Sequence, residues 1–184
     1  MARFLTSDLH LGHKNIIKYC DRPFDSVEEM NQTLIENWNE VVGSDDIVFF
    51  VGDLDIYGDE DQLREWLAQL NGRVVFIEGN HDDPGRYTTD LNTHQYYVLS
   101  QGNAEYMVTH RPENAPRFWD EWIIHGHHHN NHPEEYPFVN PEQQLVNVAV
   151  ELTRYRPLNV DYVLKCIERG EWMATAHLDE TQHE

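Results

Sequence analysis

The chain has 184 residues, 33 of them acidic and 13 basic, so it is long enough for one domain with its own core and carries a formal net charge of −20 at pH 7. Its two cysteines, Cys20 and Cys166, lack framework spacing, which argues against a disulfide scaffold or a thiolate metal site, and its longest apolar run, Ile47 to Val51, is far too short to span a bilayer. The lack of clustered Lys and Arg argues against a broad DNA-binding surface.

The acidic excess, with scarce lysine, resembles the composition of proteins from salt-accumulating archaea. At this charge, self-repulsion destabilises a compact fold unless salt screens it. We therefore expect a halophilic protein, with an ordinary acidic protein as the alternative. The N-terminal "MARFLTSD" lacks the apolar core of a signal peptide, so we expect a cytoplasmic protein without a membrane partner.

The first half of the chain alternates predicted strands and helices. Ser26 caps the first helix, Glu29 completes its capping box, and Gly43 follows its end. Apolar residues recur at helical spacing in both helices, whereas the strands are short apolar runs. The predicted elements are a strand at 3–7, a helix at 27–42, a strand at 46–51, a helix at 60–70 and a strand at 73–78.

The second half is richer in strands. Asn159 caps its one predicted helix and Gly170 ends it. The predicted elements are a hairpin of strands at 96–100 and 104–110, strands at 122–125 and 144–152, a helix at 160–169 and a last strand at 171–176. This order predicts an α/β domain over residues 1–178 whose sheets are sandwiched by helices, followed by a solvated tail at 179–184.

A polar cluster follows each of five predicted strands. Because ligands of α/β sheets bind beyond the carboxyl ends of the strands, these clusters can converge on one site. Carboxylate, imidazole and amide donors suit a divalent metal ion. The clusters are Asp8-Leu9-His10, Gly52-Asp53, Gly79-Asn80-His81-Asp82, Thr109-His110 and Gly126-His127-His128-His129.

Spacing within two clusters supports a shared ion. In extended backbone, residues two apart point to the same side, so Asp8 and His10 can hold one ion together. The same parity brings His127 and His129 together and turns His128 away. Each motif alone is weak, because single histidines are more often structural; the ordered set is the signal.

In this order, "DLH", "GD", "GNHD", "TH" and "GHHH" resemble the five motifs of the calcineurin-like metallophosphoesterases, over roughly Phe4 to Val150. "TSDLHLGHKNIIKYC" and "VNVAVELTRYRP" also resemble a subgroup of small members of that superfamily. The resemblance implies a four-layer α/β/β/α sandwich with a two-metal site between its central loops. By position, it implies that Asp8, His10 and His129 hold the first metal, that Asn80, His110 and His127 hold the second, and that Asp53 bridges them.

The resemblance also implies a mechanism. Two divalent ions, with Mn²⁺ expected first and Fe, Zn²⁺ or Ni²⁺ also compatible, acidify a water that attacks phosphorus. His81 is expected to assist the leaving oxygen as a general acid. Many family members carry an aspartate three residues after the bridging one, which orients this histidine. Here Ile56 stands at that position, which leaves Asp55 and Asp82 as candidates.

Several cationic or imidazole side chains flank the motifs and could contact substrate. His13 and Arg111 are the predicted contacts, with surface charge as the alternative. Lys14, Lys18 and Arg22 are weaker candidates. His125, His128 and His132 are predicted to be strand-end or loop residues without a direct role.

The leading prediction is a binuclear metal-dependent phosphoesterase that slightly favours phosphodiesters, with a nucleotide or short nucleic acid among the substrates considered. A phosphomonoesterase is one alternative. A non-catalytic metal-binding or scaffold module with the same fold is another, because fold alone does not settle function.

Overall fold

The structure, a computed structural model, describes residues 1–55, 59–82 and 93–177. Two five-stranded β-sheets form its centre. In the first sheet four strands are parallel, and a fifth runs antiparallel to β1 at the edge. Its order is β10 (Leu158–Asn159), β1 (Arg3–Thr6), β2 (Ile47–Phe50), β3 (Arg73–Ile77) and β4 (Thr93–His94).

The second sheet is mixed. Its order is β5 (Tyr96–Gln101), β6 (Ala104–Thr109), β7 (Ile123–His125), β9 (Leu145–Asn147) and β8 (Val139–Asn140). β5 and β6 form the predicted hairpin, in which Gln101 pairs with Ala104 and Gly102 occupies the turn at a φ of 60°. β6, β7 and β9 are parallel, and β8 is antiparallel to β9.

Four helices accompany the sheets: α1 (Ile16–Tyr19), α2 (Val27–Val41), α3 (Glu60–Leu67) and α4 (Val160–Arg169). Both predicted N-cap residues are confirmed, whereas the Glu29 carboxylate accepts from the Asp25 amide at 2.8 Å rather than from the Ser26 amide that a capping box requires. Ser26 Oγ accepts a hydrogen bond from the Glu29 amide at 3.1 Å, and Asn159 Oδ1 accepts one from the Asp161 amide at 2.8 Å. Gly170 ends α4 in the left-handed conformation, which glycine adopts without strain.

The two faces of the first sheet pack into different cores. Residues such as Val48 and Phe50 contact the apolar faces of α2 and α3, where Trp38 is fully buried. Their neighbours Phe49 and Val51 point the other way, into a core shared with the second sheet and α4. This alternation follows from the period of two in a strand. The two mixed sheets and their helices confirm the predicted α/β sandwich.

Two predicted strands are wrong in part. The strand at 144–152 stops at Asn147, whose amide group donates to the His129 and Tyr136 carbonyls and accepts from the Ala149 amide, and a 3₁₀ turn follows at Val150–Leu152. At 171–176 there is one bridge, between Met173 and Val139. The short elements α1, β4, β8 and β10 were not predicted.

The fold places the polar clusters at one end of the two sheets. Asp8, Asp53 and Asn80 follow β1, β2 and β3, and His110 and His127 follow β6 and β7. No helix among the described residues is long and apolar enough to cross a membrane. The predicted tail at 179–184 lies outside the described residues, as does Ile56.

Candidate metal centre

A first group of possible metal ligands consists of Asp8, His10 and His129, all buried. Asp8 Oδ1 lies 3.8 Å from His10 Nε2 and 3.6 Å from His129 Nε2, and the two imidazole nitrogens are 3.3 Å apart. Ligand atoms about 2.1 Å from a shared ion lie roughly 3 to 3.4 Å from each other. The group is therefore only slightly wider than a metal-bound site.

The hydrogen bonds of Asp8 leave one oxygen for a cation. Its Oδ2 accepts from Ser7 Oγ at 2.5 Å and from the His127 amide at 2.9 Å. Its Oδ1 is buried and has no hydrogen-bond partner among the described residues. A buried carboxylate oxygen without a donor is costly, so this geometry fits a metal ion between Oδ1 and the two imidazoles.

A second group consists of Asp53, His110 and His127. His110 Nδ1 lies 2.8 Å from the Val51 carbonyl, which can only accept, so this nitrogen carries the proton. Nε2 of the same ring then faces Asp53 Oδ2 at 3.4 Å and Asn80 Oδ1 at 3.1 Å. In the neutral ring these are three converging acceptors, so either a proton on Nε2 or a metal cation must lie between them.

Asp53 lies between the two groups. Its Oδ2 is 3.6 Å from His10 Nε2 in the first group and 3.4 Å from His110 Nε2 in the second. Its Oδ1 accepts from the His81 amide at 2.9 Å. One carboxylate oxygen facing both groups is the arrangement that a bridging ligand requires.

The carboxylates of both groups favour positive charge beside them, although burial lowers the pKa of His10 and lowers that of His127 to about 4. Burial lowers the pKa of His110, but its hydrogen bond to Asp53 and the charges of Asp8 and Asp53 outweigh burial and raise the pKa to about 9. Although burial raises the pKa of Asp53, the hydrogen bond and charge of His110 and the charge of His10 hold it below its usual range. Burial raises the pKa of Asp8. These buried carboxylates are suited to a bound cation.

The prediction that residues two apart point to the same side assumed extended backbone, and this assumption is wrong. Positive φ angles place the backbone in the left-handed region rather than in extended conformation at Asp8, His10, Asp53, His127 and His129. Such conformations cost about 1–3 kcal/mol each and persist where surrounding contacts impose them. Here the Asp8 amide donates to the Gly52 carbonyl and the His10 amide to the Asp53 carbonyl. The side chains still converge, through two strained turns.

Two of the glycines in the motifs lie so close to ligand side chains that no larger residue would fit. A Cβ on Gly79 would overlap the Asp53 carboxylate, and one on Gly126 would overlap Ser7 Oγ and Asp8 Oδ2. Both positions therefore require glycine, as expected for loops that pack directly against the ligand groups.

Asn80 and His81 lie at the exposed side of the centre. Asn80 Oδ1 accepts from Arg111 Nε at 3.3 Å as well as facing His110. The His81 ring centroid is 5.8 Å from that of His10. An exposed imidazole beside buried ligand groups can reach a bound ester.

Asp82 and Asp55, the two candidates for orienting His81, contact the loops that surround the ligand groups. Asp82 is buried, and its carboxylate accepts from the amides of Asp53 and Gly79, each at 2.7 Å, so it ties together the loops after β2 and β3. Asp55 is buried and forms a backbone bridge with Leu11.

The structure adds a residue that the motifs do not include. Glu151 Oε1 accepts from His129 Nδ1 at 3.0 Å and from Arg22 Nε at 2.9 Å. Burial raises the pKa of Glu151, but the hydrogen bond from His129 and the charge of Arg22 lower it to about 2. The available signal was an acidic residue inside the apolar run "VNVAVEL". Arg22, predicted as a weak substrate contact, is instead buried.

The sequence argued against a thiolate metal ligand, but Cys20 lies close to two possible ligands. Its Sγ lies within 4.8 Å of ligand atoms of His129 and Glu151, so the three could hold an ion. However, the Arg22 guanidinium already supplies the positive charge beside Glu151. We therefore assign Glu151 to the support of His129.

The predicted substrate contacts lie on opposite sides of the centre. His13 is buried, with its ring centroid 5.6 Å from that of His10. Arg111 lines a cavity of about 590 Å³ together with Asn80, His110 and Tyr96. Lys14 and Lys18, the weaker candidates, are exposed.

The other three histidines of the 125–132 stretch belong to neither ligand group. His125 is fully buried and donates to the Gly126 carbonyl at 2.9 Å. His128 stacks on Tyr136 with ring centroids 3.5 Å apart, and His132 is exposed.

Comparison with known proteins gives consistent results. The family model for calcineurin-like phosphoesterases matches residues 3–164. The chain is 47% identical to the Methanocaldococcus jannaschii protein MJ1445 over 174 residues, 94% of each chain. It is 40% identical to the gene 66 protein of Mycobacterium phage L5 over 91 residues, 48% of this chain and 44% of that protein. The crystal structure of AQ665 from Aquifex aeolicus shares the fold, with a TM-score of 0.70 at 22% identity, covering 90% of this chain and 99% of that one.

Proposed function

The chain belongs to the calcineurin-like phosphoesterase family, and from this premise we propose that it is a binuclear metal-dependent phosphoesterase. The observation that supports two ions rather than one is the position of Asp53 Oδ2, 3.6 Å from His10 Nε2 and 3.4 Å from His110 Nε2. A carboxylate oxygen facing two separate ligand groups suits a site in which two ions share one ligand.

We assign the ligands by group. Asp8, His10 and His129 hold the first ion, Asn80, His110 and His127 hold the second, and Asp53 is shared. Mn²⁺ is the proposed metal, with Fe, Zn²⁺ and Ni²⁺ compatible with the same donors. Two divalent ions at such a site supply positive charge to the phosphoryl oxygens and acidify water for attack on phosphorus.

The role proposed for His81 is proton donation to the leaving ester oxygen. Its side chain is exposed, and its amide is held by Asp53 Oδ1, so the imidazole lies at the mouth of the centre. Removing a general acid typically lowers the rate about 10²- to 10⁴-fold.

The cavity beside the second group supports a diester substrate. Its volume of about 590 Å³ lies within the range of ligand pockets, roughly 300 to 1,000 Å³. A phosphate bound at the metal centre would have room there for a second ester substituent. Arg111 would contribute the cation that a phosphate contact needs. We therefore propose phosphodiesters, nucleotide diesters or short oligonucleotides among them, ahead of phosphomonoesters.

The first experiment compares hydrolysis of bis-p-nitrophenyl phosphate and p-nitrophenyl phosphate with Mn²⁺ in molar KCl. The variants are His81→Ala and the matched control His132→Ala, which alters an exposed histidine outside both groups. Diester turnover that falls only in His81→Ala supports the proposal. Faster monoester turnover would favour a phosphomonoesterase, and bound metal without hydrolysis would favour a scaffold module.

We also propose that the protein functions in the cytoplasm at high salt. The support is compositional, a net charge of −20 on 184 residues. Circular dichroism during stepwise removal of KCl is the test. Loss of the folded signal at low salt is expected, and an unchanged spectrum in dilute buffer would contradict halophily.

A further inference from the structure

A buried ion pair lies directly behind the first ligand group. Arg22 Nη2 is 2.7 Å from Glu151 Oε1, and the two side chains are 0% and 2% exposed. Arg22 Nε donates to the same oxygen at 2.9 Å. Burying two charges is costly, and such pairs add little net stability over apolar residues of similar size. The pair therefore calls for an explanation beyond folding stability.

Glu151 acts on the group through His129. Its Oε1 accepts from His129 Nδ1 at 3.0 Å, which places the proton of the neutral ring on Nδ1 and leaves the lone pair on Nε2. That nitrogen faces Asp8 Oδ1 at 3.6 Å. The carboxylate therefore fixes both the tautomer and the orientation that a ligating imidazole needs.

Arg22 acts on the same group through the main chain. Its Nη1 donates to the Leu9 carbonyl at 2.8 Å and its Nη2 to the Asp8 carbonyl at 2.7 Å. Asp8 and His10 flank Leu9 and both have left-handed backbone conformations, with φ angles of 60° and 52°. The guanidinium thus holds the carbonyl groups of a strained turn whose side chains face the site.

We infer that Arg22 and Glu151 are positioning residues for the first metal ion, acting through one buried ion pair on Asp8, His10 and His129 together. The inference rests on the proposed metal centre. In the second group, a main-chain acceptor orients an imidazole, since His110 Nδ1 donates to the Val51 carbonyl. Loss of the ion pair should therefore affect one metal ion much more than the other.

The test is calorimetric titration of the metal-free protein with Mn²⁺, with metal content measured independently. The variants are Glu151→Gln, which keeps an acceptor but removes the charge, and Glu151→Ala, which removes both. Loss of a partner that orients a ligand typically costs about 10- to 100-fold in metal affinity. We expect about 10-fold weaker binding of one ion in Glu151→Gln, nearer 100-fold in Glu151→Ala, and an unchanged second ion.

The matched control is Glu40→Gln. Glu40 Oε2 pairs with Arg156 Nη2 at 2.9 Å, but its side chain is 54% exposed, so the same charge change should leave both affinities unaltered. Circular dichroism and thermal unfolding of the metal-free variants show whether each one folds.

Three results would overturn the inference. One is wild-type affinity for both ions in Glu151→Gln, whether or not Glu151→Ala can be purified. Another is equal weakening of both ions, because that indicates a general structural role. The third is a wild-type protein that binds none of Mn²⁺, Fe²⁺, Zn²⁺ and Ni²⁺ in the same titration, and this result alone would also overturn the proposed function.

Discussion

The two ligand groups differ in burial and in what surrounds them. In the first, Asp8, His10 and His129 are 0%, 1% and 8% exposed, and a buried ion pair lies behind them. Beside the second, Asn80 is exposed and borders a cavity of about 590 Å³ that His110 also lines. Asp53 Oδ2 faces both groups, so the loop after β2 lies between a closed half of the centre and an open half.

The difference suggests separate tasks for the two halves. A buried group with fixed ligand orientation loses little freedom when it binds an ion, which favours tight binding. A group at a cavity wall can contact substrate but holds its ligands less rigidly. We therefore expect the first ion to bind more tightly than the second and the substrate to enter from the side of the second.

The largest effect is expected from a substitution of Asp53, the residue that faces both ligand groups. Asp53→Asn replaces the carboxylate that faces His10 and His110 with a neutral amide of similar shape. Because both ions lose a charged ligand, diester hydrolysis should fall by at least about 10³-fold, with metal content reduced below two per chain. Asp45→Asn, at an exposed aspartate, is the control. Activity within tenfold of wild type would contradict a shared role.

A substitution at Asn80 should have a smaller effect and should weaken the binding of one ion only. Asn80→Ala removes the exposed ligand that we propose for the second ion and leaves Asp8, His10 and His129 intact. Binding of the second ion should weaken by at least about 10-fold while the first remains bound, as measured by Mn²⁺ titration, because loss of even a supporting partner costs about that much. If the tighter ion were lost instead, the assignment of Asn80 to the second group would be wrong.

The sequence predicted where the metal centre lies better than it predicted the contacts and backbone turns that hold its ligands in place. The order of short polar motifs after strands identified the loops that the fold brings together, because the carboxyl ends of the strands meet at one end of the sheets. The Arg22–Glu151 contact spans 129 positions, so although Glu151 stands out within an apolar run, nothing in the sequence pairs it with Arg22. The left-handed turns at Asp8 and His10 were also missed, because side-chain parity presupposes an extended chain.

The two-residue strands escaped prediction for a related reason. β4, β8 and β10 are too short to show an alternating pattern, and their pairing depends on neighbours distant in sequence. The caps at Ser26 and Asn159 were predictable because their hydrogen bonds form within three residues.

The last prediction concerns the open side of the centre and should leave metal binding unchanged. Arg111 lines the cavity and donates to Asn80 Oδ1 at 3.3 Å, so Arg111→Ala removes a cation beside the second group without removing a ligand. A charge-assisted hydrogen bond contributes about 1.5–3 kcal/mol, so KM for the diester should rise roughly 10- to 100-fold with kcat largely retained. Arg117→Ala, at an exposed arginine, is the control and should leave KM unchanged. A fall in kcat at unchanged KM would instead place Arg111 in transition-state stabilisation, and no effect on either constant would indicate that substrate does not enter through this cavity.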